Sequence, residues 1–243
     1  MIRSVAGRDL PAERDTECAA RIHGLHKAYG ESNLVQFFAD EAGAALAFLD
    51  GIAVLDAPGA LSEEWVAFLR LLPGLRLLRT DGVTGRALAA VLHGAVSYGG
   101  LMRFTGVWPP VAPDEPAYRL PMLYPLLQTG FSALPPFDSW YVDVSHRLRH
   151  EACHVAVCCA DGRPVSMAMT VAESQSAAVI GGVVTEPSFR RRGLASRCVT
   201  ALLSRLSDKR TMWIAPTDGA AERLYARLGF APADEGWAEI RIS

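Results

Sequence analysis

Apolar and polar positions alternate in short bursts along this chain, and the bursts fall into two series that each predict a mixed α/β region. In the first series, residues 35–38, 45–49 and 52–55 read as strands. Asp50-Gly51 between the last two is the composition a two-residue hairpin turn demands, because both central positions need positive φ. Ser62 followed by Glu63 and Glu64 caps a helix that runs to about Leu72, where Pro73-Gly74 stops it. Residues 75–78 read as a buried strand, 85–93 as a helix and 101–104 as another strand. Residues 15–29 also have helical spacing, weakened by Gly24 and two histidines.

Pro109, Pro110, Pro113, Pro116 and Pro121 then mark an extended linker. Beyond it come a short helical piece at 122–129, Pro135-Pro136, and a helix over 144–151 that Asp143 is placed to cap. The second series follows. Strands are expected at 154–159 and 164–171 across an Asp161-Gly162 turn, and at 177–185. A helix at 194–206, a strand at 211–215, a helix at 220–228 and a strand at 237–242 complete it. Gly229 stands where a helix-terminating glycine belongs. The expected organisation is an α/β N-terminal domain over 1–115 and a second α/β domain over 116–243.

A chain of 243 residues, half of them hydrophobic, can bury one large core or two modest ones. The formal charge of −2 offers no global attraction to nucleic acid or anionic lipid. No run approaches the roughly 18–20 apolar residues of a membrane span, and the N-terminus lacks the apolar core of a signal peptide. The five cysteines are an odd number without framework spacing, which reads as reduced thiols in a cytoplasmic protein. Cys158 and Cys159 are adjacent on an expected strand and so point to opposite faces.

The chemistry concentrates between Ile180 and Ala195. There a β-branched strand with Gly181 and Gly182 leads through a Pro187 turn into Arg190-Arg191-Arg192-Gly193-Leu194-Ala195 at the start of a helix. A helix start has four backbone N–H groups without intrahelical partners, and its dipole favours negative charge. Gly193 and Ala195 leave those amides uncovered, so the order of parts makes an anion cradle suited to a diphosphate-bearing cofactor. The amides from Arg191 to Ser196 are assigned to the diphosphate, with Arg190, Arg191 and Arg192 adding charge. The pattern Gly-x-x-x-x-Gly-Lys-Ser/Thr of a P-loop nucleotide enzyme is absent.

Arg190-x-x-Gly193-x-Ala195 resembles the acyl-CoA-binding motif of the GNAT superfamily of N-acetyltransferases. The lead-in of Val183, Val184, Thr185 and Pro187 fits it. Downstream, Asp218-Gly-Ala-Ala221-Glu-Arg-Leu224-Tyr225-Ala-Arg-Leu-Gly229-Phe230 resembles the family's closing segment, with Asp218 where Asn is usual. The likeness covers about Cys153 onward. It implies a mixed, mostly antiparallel sheet flanked by helices. The element order of the smaller α/β N-terminal domain echoes the same topology, which leaves that domain open as either a degenerate copy or an unrelated small α/β domain. It also implies acetyl-CoA as co-substrate, direct acetyl transfer to a primary amine, and no metal. The acceptor and the oligomeric state are not legible.

The resemblance implies further roles. The backbone of Val183, Val184 and Thr185 pairs with the pantetheine arm, and the two glycines before them invite a bulge that opens the sheet. A strand amide, nominally that of Val184, polarises the thioester carbonyl. Asp218 and Ala221 fall in the cofactor segment, and Tyr225 occupies the position whose phenol protonates the departing thiolate. The base is not identifiable from the pattern; Glu173, at the end of the strand before the cradle strand, is the nominal choice. His146 and His150 share a helical face, but no CxxC or HExxH pattern supports a metal there. The missing base keeps a second reading open, a non-catalytic acyl-CoA sensor or scaffold.

Overall fold

A computed structural model describes residues 1–30, 32–110 and 117–242, so residues 111–116 of the expected linker lie outside the described residues. The chain divides into unit 1, Met1–Met102 with Pro232–Ser243, and unit 2, Arg103–Ala231. The expected boundary near residue 115 therefore falls inside unit 2. The reason is the course of two strands.

Unit 1 contains strands Arg3–Val5 (β1), Gln36–Ala39 (β2), Ala45–Leu49 (β3), Ile52–Asp56 (β4), Leu77–Asp81 (β5) and Ala95–Gly99 (β6). Its helices are Glu17–Tyr29 (α1), Glu63–Leu71 (α2) and Gly82–Leu92 (α3). The chain then forms Met102–Phe104 (β7). In unit 2 follow helices Leu123–Gln128 (α4) and Phe137–Arg149 (α5), then strands Val155–Ala160 (β8), Arg163–Glu173 (β9) and Ala177–Thr185 (β10). Helix Leu194–Arg205 (α6), strand Thr211–Ile214 (β11), helix Gly219–Arg227 (α7) and strand Phe230–Pro232 (β12) come next, and Trp237–Arg241 (β13) is last.

The sheet of unit 1 has the order β1-β2-β3-β4-β5-β13-β6, and that of unit 2 the order β12-β7-β11-β10-β9-β8. Read from β2 and from β8, the two repeat one plan. Each has one parallel pair at the same place, β4 with β5 and β10 with β11, and a helix follows each member of that pair. Each sheet also receives its next-to-last strand from the other half of the sequence: β13 lies between β5 and β6, and β7 between β11 and β12. The fold is thus a duplicated, mostly antiparallel α/β unit flanked by helices.

Local chemistry explains most boundaries. Thr16, Ser62, Asp81 and Asp218 each accept a backbone N–H in the first turn of α1, α2, α3 and α7. Asp81 starts α3 at Gly82, earlier than the expected residue 85. Helix α5 begins directly after Pro136, seven residues before the expected start, and Asp143 lies within it, 3.4 Å from Arg147 one turn on. Unit 1 packs Leu46, Leu55, Trp65, Leu69, Leu78 and Ile240 into one core. In unit 2, Leu123, Leu127 and Trp140 of the helices cover Val155, Met167 and Val184 on one sheet face. Helix α6 packs Cys198, Val199 and Leu202 against β8, β9 and β10.

Candidate functional site

β10 ends at Thr185, and a single 3₁₀ turn, Pro187–Phe189, carries the chain to the mouth of α6. Arg191 (φ 65°) and Gly193 (φ 75°) both take the left-handed conformation, which is unfavourable for arginine and natural for glycine. Gly193 is the N-cap of α6, and no side chain caps the helix. Its carbonyl accepts from Arg197 N at 3.1 Å, the first helical bond, so the Leu194, Ala195 and Ser196 amides precede the ladder. Apart from its chain neighbours and its own helix backbone, no atom of the described residues lies within 4 Å of where a Cβ on Gly193 would stand. The cradle is open, and it fits a diphosphate.

It opens into a cleft of about 650 Å³, within the roughly 300–1,000 Å³ range of small-ligand sites. Val183, Val184 and Thr185 of β10 form one wall and the mouth of α6 a second. Asp218, Ala221, Leu224 and Tyr225 of α7 form a third. Arg190 and Arg191 line it. Arg192 does not: its guanidinium lies 5.0 Å from the Phe189 ring and donates to Ser188 O. The sequence reading missed Arg223 and Arg227, which line the cleft from α7. Their spacing from Ala220, three and seven residues on, is the helical-face signal that would have found them.

β10 pairs with β11 only over Ala177–Ile180, while it follows β9 on to Thr185. Its last turn of strand therefore has one edge without a strand partner among the described residues. The register with β9 shifts between Gly181 and Val184, with Gly182 at φ 57°, so the expected bulge is present. Parity then decides which amides face the open edge. Glu186 N donates to Val165 O, which makes Val184 with Met167 a hydrogen-bonded pair. Ser166 Oγ also reaches Val184 O at 3.1 Å, from the β9 side. The Val184 amide is thus aimed at β9 and not into the cleft, a correction to its nominal role. By alternation the Val183 and Thr185 amides face away from β9, and the Thr185 carbonyl accordingly accepts from Arg190 Nε.

Tyr225 is 5% exposed, its ring 6.1 Å from that of Phe230. Burial, reinforced by the Asp218 carboxylate, pushes its phenol from the usual 10 up to about 12. It is a protonated donor at any ordinary pH. Asp218 Oδ1 accepts from Ala220 N and Ala221 N at 2.8 Å, so this residue caps α7 as it lines the cleft.

Glu173 is elsewhere. It pairs with Ala178, five residues up β10 from Val183, or roughly 16 Å at 3.3 Å per residue. There it is buried, with His154 Nδ1 at 2.8 Å, Thr170 Oγ1 at 3.3 Å and Lys209 Nζ at 3.8 Å. Its assignment as base is corrected: it is a buried structural carboxylate away from the cleft. The His146 and His150 rings are tilted at 35° with centres 4.3 Å apart, and no group of three or more potential metal ligands occurs among the described residues.

The corresponding helix start in unit 1 has the opposite character. Ser62 caps α2, Glu63 and Glu64 occupy its first turn, and Asp56 at the end of β4 is buried against Thr16 and Arg14. A side-chain cap and two carboxylates in the first turn disfavour an anion there. Of these two helix starts, the uncapped, glycine-fronted one is that of α6.

Residues 120–230 match the family model described as the acetyltransferase (GNAT) family. Among solved structures, a GCN5-related N-acetyltransferase from Kribbella flavida is 20% identical, with 98% of this chain and 96% of that one covered at a TM-score of 0.59. A GNAT-family protein from Novosphingobium aromaticivorans is also 20% identical, with 94% and 100% covered at a TM-score of 0.58. A tandem GNAT protein from the clavulanic acid biosynthesis pathway is 14% identical, with 100% and 98% covered at 0.56. At these identities the likeness is one of fold, and it spans both units. No curated protein matches the chain.

Proposed function

We propose that this protein, whose residues 120–230 match the acetyltransferase (GNAT) family model, is an acetyl-CoA-dependent N-acetyltransferase that moves the acetyl group directly to a primary amine. The observation that supports this reading is the uncapped, glycine-fronted, basic start of α6, which opens into the same cleft as Tyr225. The co-substrate supplies an activated thioester. The Gly193, Leu194, Ala195 and Ser196 amides hold its diphosphate, several together because a helix dipole alone contributes only about 0.3–1 kcal/mol. The Thr185 amide meets the pantetheine arm along the open edge of β10. Val183, at the bulge, takes the place first given to Val184 and turns its N–H to the thioester carbonyl. Tyr225 gives its proton to the departing sulfur. A cytoplasmic setting goes with this reading, since all five cysteines are thiols. No helix among the described residues is long and apolar enough to cross a membrane.

The test is a calorimetric titration with acetyl-CoA. The wild type is expected to bind, and Gly193→Val to bind roughly tenfold or more weakly, since a Cβ in the left-handed region costs about 1–2 kcal/mol and shields the amides. No heat and no thermal stabilisation with the wild type would sink the proposal. A second expectation concerns Arg223 and Arg227, whose exposed guanidinium groups suit the phosphate on the ribose. Changing both to alanine should narrow the preference for CoA over dephospho-CoA by roughly two- to tenfold, as for exposed charge pairs. An equal loss for both ligands in competition binding would remove that role.

One observation favours a second reading. Among the described residues lining the cleft, Asp218 is the sole carboxylate and there is no histidine. A non-catalytic acyl-CoA sensor would need no base. In the transferase reading the amine reaches the cleft already deprotonated, or loses its proton to water. Thiol-reagent detection of CoA release over a panel of primary amines separates the two, and binding without release from any of them decides for the sensor.

A further inference from the structure

The thiols of Cys158 on β8 and Cys198 on α6 stand with their sulfurs 3.6 Å apart. Cys158 is partly exposed and Cys198 is 1% exposed. The neighbouring Cys159 packs toward the opposite sheet face, and Cys153 is buried against Thr170 O, so neither shares this contact. A disulfide needs about 2.05 Å between sulfurs, so the pair must close by roughly 1.5 Å.

The surroundings give this pair a consequence. Cys158 Sγ lies 3.9 Å from the carbonyl of Leu194, the first residue of the cradle helix. Cys198 is one turn further along that helix, and its sulfur lies 3.8 Å from Ser166 Oγ. Ser166 in turn contacts Val184 O at 3.1 Å and Thr185 Oγ1 at 2.8 Å. Both walls of the cleft, the α6 mouth and the β10 edge, are therefore within one or two contacts of the two sulfurs.

We infer that Cys158 and Cys198 are an oxidative modification site, closing to a disulfide that tightens α6 against β8 and weakens cofactor binding in the cradle. The co-reactant is a disulfide-class oxidant such as oxidised glutathione. The Cys158 thiolate, the accessible member, attacks one sulfur of the oxidant, forming a mixed disulfide and releasing one glutathione thiol. The Cys198 thiolate then attacks the Cys158 sulfur and expels the second. Two protein thiols and one oxidant disulfide give one protein disulfide and two thiols; the protein loses two electrons and two protons. The helix moves because its second turn is drawn toward β8, and the Leu194, Ala195 and Ser196 amides move with it. The Ser166 hydroxyl loses the Cys198 S–H as a donor at the same time.

The cross-link stands independently of the assigned activity; its effect on affinity rests on the acetyl-CoA reading. The full-length protein would be incubated with oxidised glutathione, alkylated and mapped by peptide mass, in the wild type and in Cys158→Ser, Cys198→Ser and Cys159→Ser. A Cys158–Cys198 peptide is expected in the wild type and in Cys159→Ser, reversed by dithiothreitol, and lost in the other two. Acetyl-CoA affinity should fall roughly tenfold on oxidation, within the range of ordinary coupling between sites, and return on reduction. It should not respond to the oxidant in Cys158→Ser. Absence of the linked peptide, or its persistence through Cys159, overturns the site. A linked protein that binds acetyl-CoA as the reduced one does overturns the coupling. Reduced wild type that fails to bind overturns the functional reading, while the peptide map still decides the disulfide.

Discussion

Deleting residues 232–243 is expected to unfold unit 1, although most of that unit lies more than a hundred residues away in sequence. The deletion removes β13, which pairs with β5 on one side and with β6 on the other over Trp237–Arg241. Ala238 and Ile240 are 0% exposed in its core. Glu239 balances Arg79, whose other partner is the buried Glu17. Without the strand, two ladders of backbone bonds worth about 0.5–1.5 kcal/mol each are lost, and β6 has no sheet to join. The sum reaches the about 5–15 kcal/mol that holds a domain folded. Hydrogen exchange is the direct measurement: amides of β5 and β6 should be protected in the full chain and exchange freely in the deletion. Ile240→Ala alone is expected to cost about 2–5 kcal/mol by denaturant titration. Protected β5 amides after deletion would mean that the strand exchange has been misassigned. The reciprocal cut, a fragment of residues 116–243, lacks β7 and leaves β11 and β12 without the strand between them.

That exchange marks the limit of what the sequence made legible. The Asp50-Gly51 and Asp161-Gly162 turns could be read because the four residues concerned need positive φ, and all four have it. The α6 cradle could be read because its parts are consecutive. The short, half-exposed β6 and the three-residue β1 and β12 carry too little alternation to register. Nothing local in β13 says that its partners are β5 and β6. Glu173 was misplaced for the same reason: which end of β9 faces the cleft depends on the register with β10. The helix expected to start after Asp143 starts instead after Pro136, whose φ of −51° is already close to helical.

Replacing Tyr225 by phenylalanine tests the chemical half of the proposal and has the largest expected effect on turnover. The ring remains in place against Phe230, so acetyl-CoA affinity should be retained, while kcat falls by about 10²- to 10⁴-fold if the phenol is the general acid. The pH dependence gives a second readout that needs no acceptor. Burial and then Asp218 raise the phenol to about 12, so the folded state favours the protonated form more than the unfolded chain, at the usual 10, does. The sign follows: this contribution is fully present below pH 10 and is lost as pH rises toward 12. At two pKa units it amounts to something on the order of 2–3 kcal/mol. Stability of the wild type should therefore fall more steeply than that of Tyr225→Phe across that window. Asp218→Asn keeps an oxygen to cap α7 but removes the charge, so it should move the steep region toward lower pH. A phenylalanine variant that turns over at the wild-type rate would remove Tyr225 from the chemistry and leave water as the proton source for the thiolate. In that case the residue's worth is its ring, and the difference in alkaline stability between the two proteins is what would still distinguish a buried phenol from a buried phenyl.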